Sequence, residues 1–280
     1  GGEKPFSVID PSATFILAFQ ALPLVLVISA LSAVLFYWRI LPKIVGGFSR
    51  LLERSMGLGG AEGLGVSANI FVGMVEAPLL IRPYISRMSR SELFTLMTSG
   101  MATIAGTVMV LYASILNGVI PDVTGHILTA SILSAPAAVV ISKIMIPETT
   151  ALTEASLDTP QEASSSIDAL TRGALQGMAL LLNIITMIIV LVALVHLINI
   201  LLGALPGIAG EPLSLQRIMG WLLSPLVWIM GIPWSEAQAA GSLLGTKTIL
   251  NEFIAFVEMS RTGSETLSQR TLLMMCYALC

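Results

Sequence analysis

Along this chain, long unbroken apolar runs are separated by shorter apolar runs that carry charge. Residues 13–38, interrupted only by Gln20 and Pro23, are long enough to cross about 30 Å of hydrocarbon as a helix rising about 1.5 Å per residue. Residues 93–116, 127–146 and 175–202 meet the same condition, with a turn-rich stretch at 117–125. The pattern predicts four helical crossings. Two further apolar runs are too short or too polar to cross. Residues 60–84 carry Asn69, Glu76 and Pro78, and residues 237–259 carry Lys247, Asn251 and Glu252.

Laying Glu76 over Glu252, an offset of 176 positions, aligns more than two acids. Before the first short run lie residues 39–56 (RILPKIVGGFSRLLERSM), mixed apolar and basic, the pattern of a helix lying in the membrane interface. Before the second lie residues 215–232, where Trp221 and Trp228 suit the headgroup level. Each short run is followed by a polar loop and a further helix, from Ser91 and from Leu267. Three crossings separate the copies, so the second enters from the opposite face. The expected fold class is an all-α membrane protein: an inverted repeat of interfacial helix, re-entrant hairpin and broken helix, plus scaffold transmembrane helices. Inverted repeats with broken apolar segments are the pattern of secondary transporters, which bind substrate near mid-bilayer where the repeats meet.

The expected organisation starts with a polar lead and scaffold crossing at 1–38. A first repeat at 39–146 holds hairpin 60–84, broken helix 91–116 and helix 127–146. An acidic, flexible cytoplasmic loop at 147–168 leads to a long scaffold crossing at 169–204. The second repeat, 212–280, holds hairpin 237–259 and the start of a truncated helix. The polar first residues without an initiator Met, and the stop at Cys280, read as a chain truncated at both ends.

Composition agrees with a bilayer as solvent. The chain is 55% hydrophobic and 11% charged, against about 25% charged in soluble domains. A net charge of −3 gives no reason to expect nucleic acid. Arg39, Lys43, Arg50, Arg54, Arg82, Arg87, Arg90, Lys143 and Arg172 fall on one side of the predicted crossings, which the positive-inside rule makes cytoplasmic in a multi-pass protein of the cell membrane. Cys276 and Cys280 read as apolar helix residues, and the scattered Met as core filling. No H-E-x-x-H, G-x-S-x-G or intramembrane Asp pair is present, so no enzyme is expected.

Candidate chemistry sits in the short runs. Intramembrane Glu is costly and usually faces a cavity where it works. At Gly73 the backbone can turn sharply, and Pro78 frees an upstream carbonyl. The carbonyl of Val72 and the side-chain oxygen of Asn69 then offer hard ligands for an alkali cation. Glu76 and Glu252 are expected to accept hydrogen bonds from a polar substrate. Lys247 either offsets the charge of Glu252 or snorkels toward the interface. Around Gly106, residues 103–108 (TIAGTV) suit a helix break or a close helix contact. His126, beside a turn, is expected to be solvated, and His196 to hydrogen-bond between helices.

Residues 69–78 (NIFVGMVEAP) and 245–256 (GTKTILNEFIAF) resemble the two hairpin motifs of the concentrative nucleoside transporter family, the second departing from G-x-K-x-x-x-N-E-F-V-A only by Ile254 for Val. The resemblance implies a homotrimer in membrane lipid that moves a nucleoside inward by cation symport and an elevator-like motion of the hairpins. It implies sodium at Asn69, the Val72 carbonyl, Thr103 and the Ile104 carbonyl. It implies a nucleobase against Met74, Val75 and Glu76 with Val108 as an apolar wall, and ribose hydroxyls on Glu252 supported by Asn251 or Lys247. Met74 and Val75 replace the Gln and Thr of pyrimidine-preferring relatives, which implies a purine or broad preference. Two alternatives stand beside this reading: proton coupling on the same scaffold, and a non-transporting receptor or channel.

Overall fold

The computed structural model describes residues 23–73, 77–155, 163–207 and 212–280, and every regular element among them is an α-helix. Helices α1 (Pro23–Tyr37) and α2 (Ile40–Met56) meet at 77°, with Arg39 between them in the left-handed region at φ 58°. A first hairpin follows, α3 (Gly60–Phe71) and α4 (Ala77–Ile85). Next come α5 (Arg90–Ala102), α6 (Gly106–Leu116), α7 (Val123–Met145) and the 38-residue α8 (Ser166–Gly203). Helices α9 (Leu215–Ile229) and α10 (Trp234–Ile249) are bent against each other by 117°, and α11 (Glu252–Thr266) and α12 (Gln269–Leu279) follow. The succession α2 to α5 therefore recurs as α9 to α12.

Only α7 and α8 are by themselves long and apolar enough, among the described residues, to cross a membrane. The run 93–116, expected as a broken helix, is interrupted at residues 103–105 between α5 and α6. The run 13–38 is described only from Pro23 onward.

The two longest apolar helices are treated oppositely by the fold. Within α7, 39% of the most apolar stretch is buried, but within α8 only 6%. The buried residues of α8 are Ala169, Gly173, Gly177 and Val195. Gly173 and Gly177 share one face and let α1 approach: a Cβ at Gly173 would stand 2.6 Å from Ala33 Cβ and 2.7 Å from the Ser29 carbonyl oxygen. Small residues at helix contacts permit this approach where no water drives association. The core itself joins α6, α7, α10, α11 and α12 around Leu111, Ile127, Phe256, Met259 and Met275.

At the base of the first hairpin lies a polar cluster that sets its position. Ser89 and Glu92 form a capping box at the start of α5. Fully buried Glu62, in the first turn of α3, lies 2.8 Å from Lys143 Nζ at the end of α7. Glu92 accepts from the Thr153 N–H (2.8 Å) and hydroxyl (2.7 Å), and Glu148 accepts from the Ser89 hydroxyl (2.5 Å). Residues 148–155, expected to be flexible, are pinned by these bonds, because two of the loop's own residues satisfy buried ends of helices.

Candidate functional site

Asn69 lies on the last turn of α3 and is 1% exposed. Its Nδ2 donates to the Leu96 carbonyl (3.3 Å) and to Ser99 Oγ (3.0 Å), while its Oδ1 is buried with no partner. A buried amide oxygen without a donor costs about 1–3 kcal/mol, so this acceptor marks a place for a polar or cationic guest. Past it the chain turns through Val72, whose N–H donates to the Ala68 carbonyl (2.8 Å), and Gly73 at φ 114°.

The break between α5 and α6 presses on this turn. A Cβ at Gly106 would sit 2.5 Å from the Phe71 carbonyl oxygen, so only glycine permits the contact. Thr103 caps α5 and its hydroxyl donates to the Ser99 carbonyl at 2.8 Å. One serine thus links the two predicted ligands: Ser99 receives Asn69 through its hydroxyl and Thr103 through its carbonyl. The Ile104 carbonyl accepts from Ser131 Oγ at 3.3 Å, which leaves a second lone pair. No group of three or more His, Cys, Asp or Glu is gathered among the described residues. The donors present are neutral oxygens, which suits a hard monovalent cation better than a transition metal.

Met74, Val75 and Glu76 lie outside the described residues, as does any spacing between Glu76 and Glu252. The second hairpin is described. Asn251 caps α11, its Oδ1 accepting from the Ile254 N–H at 2.9 Å, so its oxygen is engaged. Glu252 is the first residue of α11 and half-buried, and its Oε1 accepts from the Tyr112 hydroxyl at 3.1 Å. The Tyr112 ring stacks on Phe256, with centroids 4.6 Å apart and an interplanar angle of 25°. Lys247 Nζ donates to the Ala278 carbonyl at 3.2 Å. Val108 is half-buried on α6, one turn before Tyr112 on the same face.

Sequence reading missed Ser99 and Tyr112. The signal for Ser99 is its position four residues before Thr103; Tyr112 sits in an apolar run and reads there as filling. Both histidines also differ from expectation. His126 is half-buried and its Nδ1 lies 3.2 Å from the Tyr277 hydroxyl, because α12 packs over the start of α7. His196 lies on the exposed side of α8 rather than in a helix contact.

Residues 126–280 match the family model described as the C-terminus of Na+ dependent nucleoside transporters, and residues 18–118 match one described as nucleoside recognition. The nucleoside permease NupC of Helicobacter pylori is 35% identical, the match covering 95% of this chain and 64% of that protein. An uncharacterized transporter of Bacillus subtilis, YutK, is 38% identical over 94% of this chain and 65% of its own length. The structure of CNTnw in an inward-facing substrate-bound state superposes with a TM-score of 0.88 at 36% identity, covering 96% of this chain and 64% of that one. The chain thus spans just under two thirds of the length of these relatives.

Proposed function

Because the chain belongs to the concentrative, Na+ dependent nucleoside transporter family, we propose that it performs cation-coupled nucleoside symport with sodium as the coupling ion. The observation that carries this reading is the orphaned, buried Oδ1 of Asn69 at the tip of the first hairpin, beside the break at residues 103–105. In this reading Asn69, the Val72 carbonyl, Thr103 and the Ile104 carbonyl hold sodium, which adds positive charge between the hairpin tip and the broken helix. Glu252 accepts the ribose hydroxyls. Val108 forms an apolar wall for the base, and Met74, Val75 and Glu76 meet its edge. Lys247 balances the charge of Glu252 from a distance.

An inward elevator motion of the hairpins is supported by the existence of CNTnw in outward-facing, intermediate and inward-facing states. A homotrimer in the cell membrane, with the basic residues of α2 and α5 cytoplasmic, accounts for the apolar surface that α8 leaves uncovered within one chain.

Calorimetric titration of the purified protein with uridine, adenosine and inosine, with and without sodium, tests the proposal. Sodium tightens nucleoside binding, and Asn69→Leu removes that effect. Binding indifferent to sodium in every case overturns sodium coupling; uptake that follows a pH gradient in sodium-free buffer identifies proton coupling instead. The purine or broad preference is read from the same titrations.

A further inference from the structure

We infer that Tyr112 is a positioning residue for Glu252: it fixes one carboxylate oxygen so that the other is presented to a sugar hydroxyl. This rests on the reading of Glu252 as the ribose acceptor.

Glu252 opens α11, where a carboxylate can fold back onto the free N–H groups of its own first turn. Asn251 occupies the Ile254 N–H, and the bond that the Glu252 carboxyl makes among the described residues goes to another helix. The side chain of Glu252 is therefore left with several rotatable bonds and no local anchor. Tyr112 supplies one from another helix, its hydroxyl donating to Oε1 at 3.1 Å. A directional hydrogen bond from a fixed phenol to one carboxyl oxygen favours one side-chain geometry.

The anchor is itself immobile. Tyr112 is 2% exposed, stacks on Phe256 and lies 6.3 Å from the Phe253 ring, and both phenylalanines belong to α11. Hydroxyl, ring stack and carboxylate thus form a closed contact between α6 and α11, in which neither helix can shift without disturbing the other. Val108 lies one turn earlier on the α6 face that carries Tyr112. A single helix then sets both the wall for the base and the aim of the carboxylate for the sugar, which fixes the distance between the two recognition elements.

A buried phenol needs a partner whatever its function, so a bland reading is that Glu252 merely satisfies Tyr112. The two readings differ in substrate dependence. Positioning of Glu252 matters only to a ligand whose hydroxyls it receives, whereas loss of packing weakens every ligand alike.

The experiment compares binding of inosine and 2′,3′-dideoxyinosine to the purified protein by calorimetry. The wild type binds inosine more tightly. Tyr112→Phe, which keeps the ring stack, weakens inosine about tenfold and leaves the dideoxy compound unchanged, so the preference collapses. Phe256→Leu keeps the hydroxyl but removes the stack; it narrows the preference in the same direction to a smaller extent, and decides the matter should Tyr112→Phe fail to fold. Equal weakening of both ligands, or an unchanged ratio in either variant, overturns the inference. A wild type without preference for inosine overturns instead the assignment of Glu252 to the ribose.

Discussion

Lys143 carries the one cation that reaches both Glu62, at 2.8 Å, and Glu148, at 3.8 Å, among the described residues. Glu62 is fully buried and at the N-terminal end of α3, where the helix dipole favours an anion. Glu148 lies in the loop after α7, outside the apolar helices. Burial pushes its pKa up, but the hydroxyl of Ser89, the N–H of Thr149 and the N–H and hydroxyl of Thr150 outweigh that and hold it at about 2. A carboxylate lowered from its ordinary 4.5 stabilises the fold above that pH, and the contribution is lost as pH falls from there through about 2. Thermal unfolding of the detergent-solubilised protein across this window is expected to show the loss, and Glu148→Gln to flatten that component. An unchanged acid limb in the variant would assign the loss to other groups. The acids of this cluster were not legible in sequence as partners, because Glu62 reads as a turn residue among glycines and its cation stands on a distant helix. Asn69 and Thr103 were legible because each interrupts an apolar run. Tyr112 was not, since an aromatic residue in such a run announces nothing about what its hydroxyl meets.

The elements owe their arrangement to small residues as much as to apolar ones. Every residue from Ala61 to Ile70 of α3 is buried, which its glycines and alanines allow; Gly65 faces Leu96 and Ile81. In the second half, a Cβ at Gly241 would stand 2.7 Å from the Gly220 carbonyl oxygen, and one at Gly245 would stand 2.5 Å from Met219 Cβ, so α9 and α10 also meet closely. Gly173→Leu on α8 meets backbone of α1, at 2.7 Å from the Ser29 oxygen and 2.9 Å from Ala30 Cα, which no rotamer relieves. The expected cost is about 1–3 kcal/mol or more, seen as a lower unfolding midpoint, whereas Gly203→Leu on the same helix, with nothing within 4 Å of its Cβ, serves as the neutral control. Equal midpoints for the two variants would mean that α1 and α8 do not pack as described. Hairpin, interfacial and long apolar runs were readable from their length and from the polar, basic and aromatic residues they carry. The cut at residues 103–105 was readable as a cluster of small and hydroxylated residues, but the contact it serves, the carbonyl of Phe71 against Gly106, lies between elements distant in sequence.

At the scale of the molecule, α8 stands apart. It packs chiefly on α1 and meets the remainder through α9 and a few residues such as Leu181 and Ile185 that lean on the core. The end of α1 is tied to the start of α8 by Trp38 Nε1 donating to Ser166 Oγ at 3.1 Å. Beyond that tie the chain bends by 77° at Arg39, held in the left-handed region, before entering the hairpin half. In the elevator motion proposed above, this pair, with the broad apolar surface of α8 toward its surroundings, would stay fixed and the Arg39 bend would be its joint. A thiol-reactive bridge between cysteines at Trp38 and Ser166 lies inside the fixed pair and is expected to leave nucleoside uptake intact. A bridge between cysteines placed across the α1–α6 contact joins fixed and moving parts, and is expected to stop uptake while calorimetric nucleoside binding persists. Uptake that survives the second bridge would show that α1 travels with the hairpins, and the joint would then have to be sought elsewhere than at Arg39.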